Sequence, residues 1–373
     1  MTTIIIGAGA SGLACAIRLK QNNPCDRVVI LERLERVGKK ILATGNGRCN
    51  LSNLNAENSG EVIDFFSSLG LVTRADDEGR IYPYSNQAAT VVDILSDKCS
   101  ELGIEIITRC SVERIEKNLS VVTDSGSFEA DNIVIAAGGK AQKNLGSDGS
   151  GFVLLKSLGH RITPLCPALV QLTSSSKYPR SLKGSRVKCN MSILLDGKKV
   201  KSEYGEVLFA DYGLSGIVTM NLSEIVSRNF EKKNPLKCHA VLDLIPDMSV
   251  EEIIDYLEKF CNLKGILGEK LSNIICQQAD GDIRKTAEFS KNWKLIITGT
   301  KGFDFAQITA GGVSADEFEN FESKKVKGVY ACGEVLDVQF PCGGYNLNFA
   351  WYSGIKTADE ITKQKVIIYD KNK

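Results

Sequence analysis

Histidine is nearly missing from this chain: two in 373 residues, His160 and His239. Twelve cysteines are present but scattered, and no two form a Cys-x-x-Cys pair. The sequence therefore offers neither a zinc-type ligand set nor a dithiol redox couple. The cysteines read instead as reduced, mostly buried thiols of a cytoplasmic protein. His160 follows Gly159 at a helix end and reads as a partner for the C-terminal dipole; His239 lies in a strand-like run and reads as packed. Net charge is nearly missing too, at +1, so no long-range field draws nucleic acid or an anionic membrane. No apolar run approaches the ~20 residues that span a bilayer. The N-terminus enters a strand directly, without the basic segment or cleavage site of a signal peptide. These absences set aside nucleic acid and membrane and leave a small molecule as the expected partner. One basic segment, Lys177, Arg180, Lys183, Arg186 and Lys188, is the best local anion site, but its only interleaved aromatic is Tyr178. It reads as a solvated hairpin face.

What is present is ordinary in bulk, with 43% hydrophobic and 24% charged residues, and the length suggests two domains. The opening stretch "TTIIIGAGASGLACAIRLKQ" is less ordinary. A β-branched run, Thr2 to Ile6, leads into Gly7, Ala8, Gly9, Ala10, Ser11 and Gly12, and a small-residue helix follows from Ser11 to Lys20. Gly7 allows the tight turn, Gly9 lets backbone approach a pyrophosphate, and Gly12 lets the helix press on the strand. A second strand, Arg27 to Leu31, ends in Glu32, about 20 residues past Gly12, where an acid accepts hydrogen bonds from an adenosine ribose. That acid disfavours a 2′-phosphate at this site. Arg33, Lys39 and Lys40 can neutralise pyrophosphate. Then comes "LATGNGRCNLSN", residues 42 to 53, a strap of small and turn-forming residues around Arg48. Loops of this kind inside compact domains are usually functional. Its Gly45–Gly47 stretch lets backbone approach a flat ring, and Cys49 reads as a small buried residue against the cofactor.

Two distal segments read as parts of the same cradle. The strand Ile133 to Ala137 ends in Gly138-Gly139, a close-packing turn. Val329 to Cys332 is a strand turned by Gly333, after which Glu334 and Asp337 present carboxylates to polyol hydroxyls. Gly343-Gly344-Tyr345-Asn346 then opens a helix through Ala350, Ile355 and Ala358. Helix N-terminal N–H groups suit the anionic form of a reduced flavin, for which nicotinamide has no equivalent. That contrast favours FAD. From about Pro164 to Thr309 the pattern changes to alternating strands (Val187 to Leu195, then Tyr204 to Phe209) around an Asp196-Gly197 turn. A capping box, Ser249 and Glu252, starts one helix, and Leu267, Leu271, Ile274 and Ile275 mark a second. The expected organisation is α/β. A Rossmann-type FAD-binding domain, residues 1–163 and 309–373, is interrupted by an inserted β-barrel or sheet plus helical bundle, residues 164–308. No second G-x-G-x-x-G occurs, so no separate nicotinamide domain is expected.

Ordered blocks along the whole chain, among them "IIIGAGASGL", "GKKILATGNGRCNLSN", "GRIYPYSNQAATVV", "PALVQL", "TAGGV" and "GVYACGEVLDV…CGGYNLNFAW", resemble the BaiN-like family of bacterial flavoproteins. That family is related more distantly to glutathione-reductase and fumarate-reductase flavin folds. The resemblance implies noncovalent FAD lined by Gly9 to Gly12, Glu32, Lys39, Lys40, Asn46 to Asn50, Val112 (through its backbone), Gly138, Glu334 and Gly343 to Asn346. Ala137, Gly333 and Asp337 complete the expected set. The chain departs from the family's pattern at Ala210-Asp211-Tyr212 and Gln339-Phe340-Pro341, where substrate could approach. The expected chemistry is hydride transfer at flavin N5. Arg48 would hold an anionic or carbonyl oxygen, and Tyr345, with Tyr82 and Tyr212, is a candidate proton donor. By resemblance the substrate is an enone of the bile-acid-intermediate type, with NAD(P)H as a transient electron donor. The alternatives are an aminoacetone-type amine oxidase releasing peroxide, and a non-catalytic flavin-binding redox partner.

Overall fold

A computed structural model describes residues 1–371, with side chains to residue 365. The chain divides into two compact units, Met1–Leu165 with Ile308–Lys373, and Cys166–Gln307. The first unit begins with β1 (Thr2–Ile6), a run of Thr and Ile buried on both faces. It continues through α1 (Ala10–Asn22), whose small side chains pack closely, and β2 (Arg27–Leu31). After an excursion come β3 (Glu105–Ile107) and β4 (Asn132–Ile135).

In the second unit, β5 (Leu172–Ser174), β6 (Arg186–Leu195), β7 (Lys198–Ala210) and β8 (Gly213–Ser215) precede α2 (Ile217–Phe230). Then follow β9 (Cys238–Asp243), α3 (Val250–Phe260) and β10 (Trp293–Thr300). These six strands close a barrel in the order β5-β8-β7-β6-β9-β10. Closure removes sheet edges. The inward side chains Cys189, Met191, Ile193, Val207, Phe209, Ala240, Leu242 and Leu295 fill it completely, each 0–1% exposed. Ser249 caps α3 with the reciprocal Glu252 bond that the capping-box spacing requires. The expected second helix is broken: Gly268, at φ +73, separates Lys264–Leu267 from Glu269–Gln278. A further helix, Ile283–Lys291, completes the helical part.

The chain returns to the first unit with β11 (Val329–Ala331) and α4 (Tyr345–Lys371). Five strands run parallel in the order β3-β2-β1-β4-β11. The order reverses at β1, so β1 and β4 leave adjacent carboxyl ends where open α/β sheets bind ligands. Among the described residues no helix is long and apolar enough to cross a membrane.

Both histidines differ from their sequence-based reading. His160 is 3% exposed and not a dipole partner. Its Nδ1 lies 2.8 Å from Glu317, its Nε2 2.9 Å from Ser323, and its ring stacks on Phe318. Burial lowers its pKa against the pull of Glu317. His239 is half-buried, at an outward position of β9.

Candidate functional site

The site assembles at the carboxyl ends of β1 and β4. Gly7 stands at φ +108, and a Cβ there would sit 2.5 Å from the Ala136 carbonyl oxygen at the end of β4. The turn can therefore approach β4 only as glycine. Gly9 is different. Its backbone is extended (φ −86, ψ −166) and an added Cβ would meet nothing within 4 Å. Neither strain nor protein packing asks for glycine there, which leaves the space above α1's N-terminus as the reason.

Glu32 ends β2 and holds this turn from below. One carboxylate oxygen accepts the Ala8 N–H and the other the Leu34 N–H, both at 2.8 Å. Each oxygen keeps acceptor capacity beyond those bonds. Cys110 donates its backbone N–H to the Glu32 carbonyl at 3.0 Å, and two residues on Val112 begins its own strand, paired with Thr123. Arg33 reaches Asp148 at 3.3 Å and the Gly146 carbonyl at 3.2 Å. Lys39 stands 4.0 Å from Glu35. Lys40 donates to Glu334 at 2.8 Å, and Glu334's other oxygen accepts the Thr309 N–H at 2.9 Å. Arg33, Lys40 and Glu334, assigned to the ligand from sequence, thus already have protein partners.

The strap is the most irregular backbone in the unit. Gly45, Asn46, Gly47 and Cys49 all have positive φ, at +56, +55, +83 and +59. Non-glycine residues in that region carry a cost of order 1–3 kcal/mol and persist only where surroundings fix them. The surroundings are visible. Cys49 N–H closes onto the Thr44 carbonyl at 3.0 Å, and Leu51 N–H donates to Ile81 at 2.8 Å. Cys49 is completely buried, and burial, against a Thr44 hydrogen bond, pushes its thiol up to about 11. Asn46, Gly47 and Arg48 stay exposed. Arg48's Nε donates to the Gly45 carbonyl at 3.2 Å, and its guanidinium lies 4.8 Å from the Tyr82 ring.

The end of the strap is bolted to the start of α4. Asn53 donates to the Gly343 carbonyl at 2.9 Å, Ser52 to Asn348 at 2.7 Å, and the Trp351 indole to the Leu51 carbonyl at 3.2 Å. Oriented by its neighbours, the Asn50 amide bridges the Ser52 carbonyl (3.0 Å) and the Gly344 N–H (3.1 Å). A Cβ at Gly344 would overlap the Ser52 carbonyl oxygen. Asn346 folds back onto Phe340, accepting its N–H at 2.9 Å and donating to its carbonyl at 2.8 Å.

Gly333 is drawn to the first turn of α1, where its added Cβ would come 2.5 Å from the Ser11 hydroxyl. Gly138, after β4 and Ala137, faces the Ser147 hydroxyl in the same way at 3.0 Å. Asp337 is half-buried and donates its backbone N–H to Val313 at 2.9 Å. Ala10 and Tyr345 are the first residues of α1 and α4. Tyr212 belongs to the other unit.

Sequence reasoning missed Thr309, whose hydroxyl accepts the Lys140 and Ala141 N–H groups at 2.7 and 3.1 Å, and the pair Asn53 and Asn348. The "LSN" at the strap's end was the available signal. Among the described residues no group of His, Cys, Asp and Glu could hold a metal ion.

The family model described as the HI0933-like protein Rossmann domain matches residues 1–60 and 54–360. A 3-dehydro-bile acid delta(4,6)-reductase from Clostridium scindens is 36% identical, over 94% of this chain and 96% of its own. A ribosomal RNA dihydrouridine synthase from Haemophilus influenzae is 26% identical, over 97% of this chain and 98% of its own. In fold, the chain is similar to a 3-ketosteroid delta1-dehydrogenase from Sterolibacterium denitrificans, with a TM-score of 0.56 and 11% identity over 97% and 100% of the two chains. The relative named for an RNA substrate removes the ground on which net charge set nucleic acid aside.

Proposed function

This chain belongs to the HI0933-like Rossmann-domain family of flavin oxidoreductases, and from that premise we propose that it transfers hydride from FAD to a carbon–carbon double bond conjugated to a carbonyl. The observation that carries this reading is the 36% identity, over nearly all of both chains, to a reductase whose named substrate is a 3-oxo compound with double bonds at positions 4 and 6. The relative named for dihydrouridine formation supports a second form of the same chemistry. The uracil 5,6 double bond is conjugated to its C4 carbonyl, so both named substrates are enones.

The residues fit the cofactor. Gly9 leaves space for a pyrophosphate at the start of α1, and the remaining lone pairs of Glu32 suit ribose hydroxyls. The exposed strap tip and the first N–H groups of α4 would meet the ring. When bound, FAD supplies the hydride donor at N5, with NADH or NADPH as the source of electrons. Arg48 holds the carbonyl oxygen of the substrate as negative charge gathers there. Tyr345 would give the α-carbon its proton, which with hydride supplied by bound FAD to the β-carbon would complete the reduction. The free thiols, eight of them buried, go with a cytosolic setting.

Anaerobic mixing with NADH and NADPH tests the reading. Flavin absorbance should bleach and then return on adding a 3-oxo-4-ene steroid or a uridine-containing RNA, and Arg48→Ala should slow the return at least about tenfold. Bleaching by aminoacetone in place of the nucleotides, reversed by oxygen with release of peroxide, would point to an amine-oxidase-type enzyme instead. No bleaching with either nucleotide removes NAD(P)H as the donor.

A further inference from the structure

The barrel unit carries a lysine cluster that its sequence does not display. The β6–β7 hairpin ends at Asp196-Gly197, and Lys198, Lys199 and Lys201 follow on its exposed tip. Lys232, Lys233 and Lys237 lie more than thirty positions later, in the exposed loop after α2. The fold joins the two. Leu195 pairs with Lys198 on one side and with Cys238 on the other, so the backbone of Lys198 lies about 10 Å, two strand spacings, from that of Cys238, the residue after Lys237. Asp196 fixes the junction, donating its N–H to the Lys237 carbonyl at 2.9 Å and accepting the Lys237 N–H on its carboxylate at 2.8 Å. The loop's other end is pinned by Asn229, 1% exposed, which exchanges hydrogen bonds of 2.9 and 3.1 Å with the backbone of Leu236. The lysines are thus presented on a fixed loop.

Their charge is poorly neutralised. Lys201 pairs with Glu203 at 2.9 Å. Among the described residues, no carboxylate lies within 4 Å of the ammonium groups of Lys198, Lys199, Lys232, Lys233 or Lys237. The basic segment singled out from sequence contrasts with this. There Lys183 is tied to Asp211 and Arg186 to Glu206, both at 2.7 Å, and Lys177 lies over the Tyr178 ring. Further along β7 from the tip, Tyr204 is 59% exposed, a side chain able to stack on an unpaired base.

We propose that the hairpin tip Lys198–Lys201 and the loop Lys232–Lys237 form a docking surface for RNA, which presents the uracil enone to this enzyme. Ammonium groups without carboxylate partners, on two exposed segments joined at Asp196, complement a phosphodiester chain, and displacing its counterions would drive association. The proposal rests on the enone-reductase reading and takes its RNA form. An acidic protein or an anionic lipid surface would need the same charge, but neither carries the uracil enone of the reading this proposal rests on.

The test uses the FAD-loaded full chain and a labelled oligouridylate, with binding followed by anisotropy across a salt series. Wild type should bind, with affinity falling steeply as salt rises. The triple variant K198E/K199E/K233E should bind at least about tenfold more weakly. Its log K against log salt should flatten by about 2, three contacts at ~0.7 each on a single strand. K183Q/R186Q, on the other basic segment, where both charges are already paired with carboxylates, should bind like wild type. Flavin absorbance and melting temperature report folding for every variant, and if the triple variant misfolds, K198Q/K199Q replaces it with a smaller loss expected. Equal binding by folded wild type and variant overturns the proposal, as does absence of binding or preference for phosphatidylserine vesicles or polyglutamate. Loss of RNA binding by wild type alongside intact reduction of a free steroid enone would sink the docking surface alone. Failure to reduce any enone would sink the function reading beneath it.

Discussion

The side-chain amide of Asn53 donates to the backbone carbonyl of Gly343 at 2.9 Å, across 290 positions of chain. With Ser52–Asn348 and Trp351–Leu51 beside it, this bond makes the strap and the entry of α4 one object. The two segments fit closely: the strap has four positive-φ residues, and Gly344 admits no side chain against Ser52.

The first prediction concerns Asn348, which is 3% exposed and serves both Ser52 and the Glu57 carbonyl. Asn348→Ala leaves the buried Ser52 hydroxyl without its acceptor and the Glu57 carbonyl without its donor, at a cost of roughly 1–3 kcal/mol. Thermal melting should show a loss of several degrees. A melting temperature equal to wild type would mean the strap is held elsewhere.

Gly7 and Gly9 should separate fold from ligand. Gly7→Ala forces a Cβ toward Ala136 at an unfavourable φ, so the apoprotein itself should lose stability or fail to accumulate. Gly9→Ala should leave apoprotein melting within about 1 kcal/mol of wild type while weakening FAD binding. Equal FAD affinity in Gly9→Ala would argue against a phosphate above α1.

Glu317 sets a pH dependence. Burial raises its pKa, but the Lys325 ammonium, the Arg161 N–H and His160 outweigh burial and hold the carboxyl at about 2. A carboxylate depressed on folding contributes stability above its unfolded pKa, and that contribution is lost as pH falls through the folded value. Melting temperature should therefore decline between about pH 4.5 and pH 2. Glu317→Gln should be less stable at neutral pH and decline less across that window; a parallel decline would assign the effect to other groups.

Cys49 should be a spectator. Its buried thiol, near 11, is protonated at neutral pH, so reduction should give no long-wavelength thiolate–flavin absorbance, and Cys49→Ala should reduce substrate at close to the wild-type rate. A charge-transfer band abolished by that substitution would reinstate thiol chemistry.

The parallel sheet was legible because its signals are local. A buried β-branched run, a glycine turn and an acid after the next strand sit within some thirty residues. The Asp196-Gly197 turn and the Ser249–Glu252 cap were legible for the same reason. Pairings between distant segments were not. Nothing in "LSN" names Gly343 as its partner, and nothing around His160 names Glu317. Gly268 splits a helix whose apolar spacing continues across it, since periodicity is blind to one residue's φ. Charge misled most. Summed over the chain it is +1, and along the sequence it gathers at Lys177–Lys188. In the fold its Lys183 and Arg186 are tied up by Asp211 and Glu206, while Lys198 and Lys237, unremarkable where they stand in sequence, flank the end of β6 from either side.

Fluorescence titration of FAD with apoprotein, run on wild type, Gly9→Ala and Asn53→Ala, tests the central claim most directly. Saturation at one FAD per chain is expected, with each single change, one near either end of the cradle, weakening binding at least about tenfold. A chain that takes up no FAD, or takes it up equally well in all three proteins, contradicts the account.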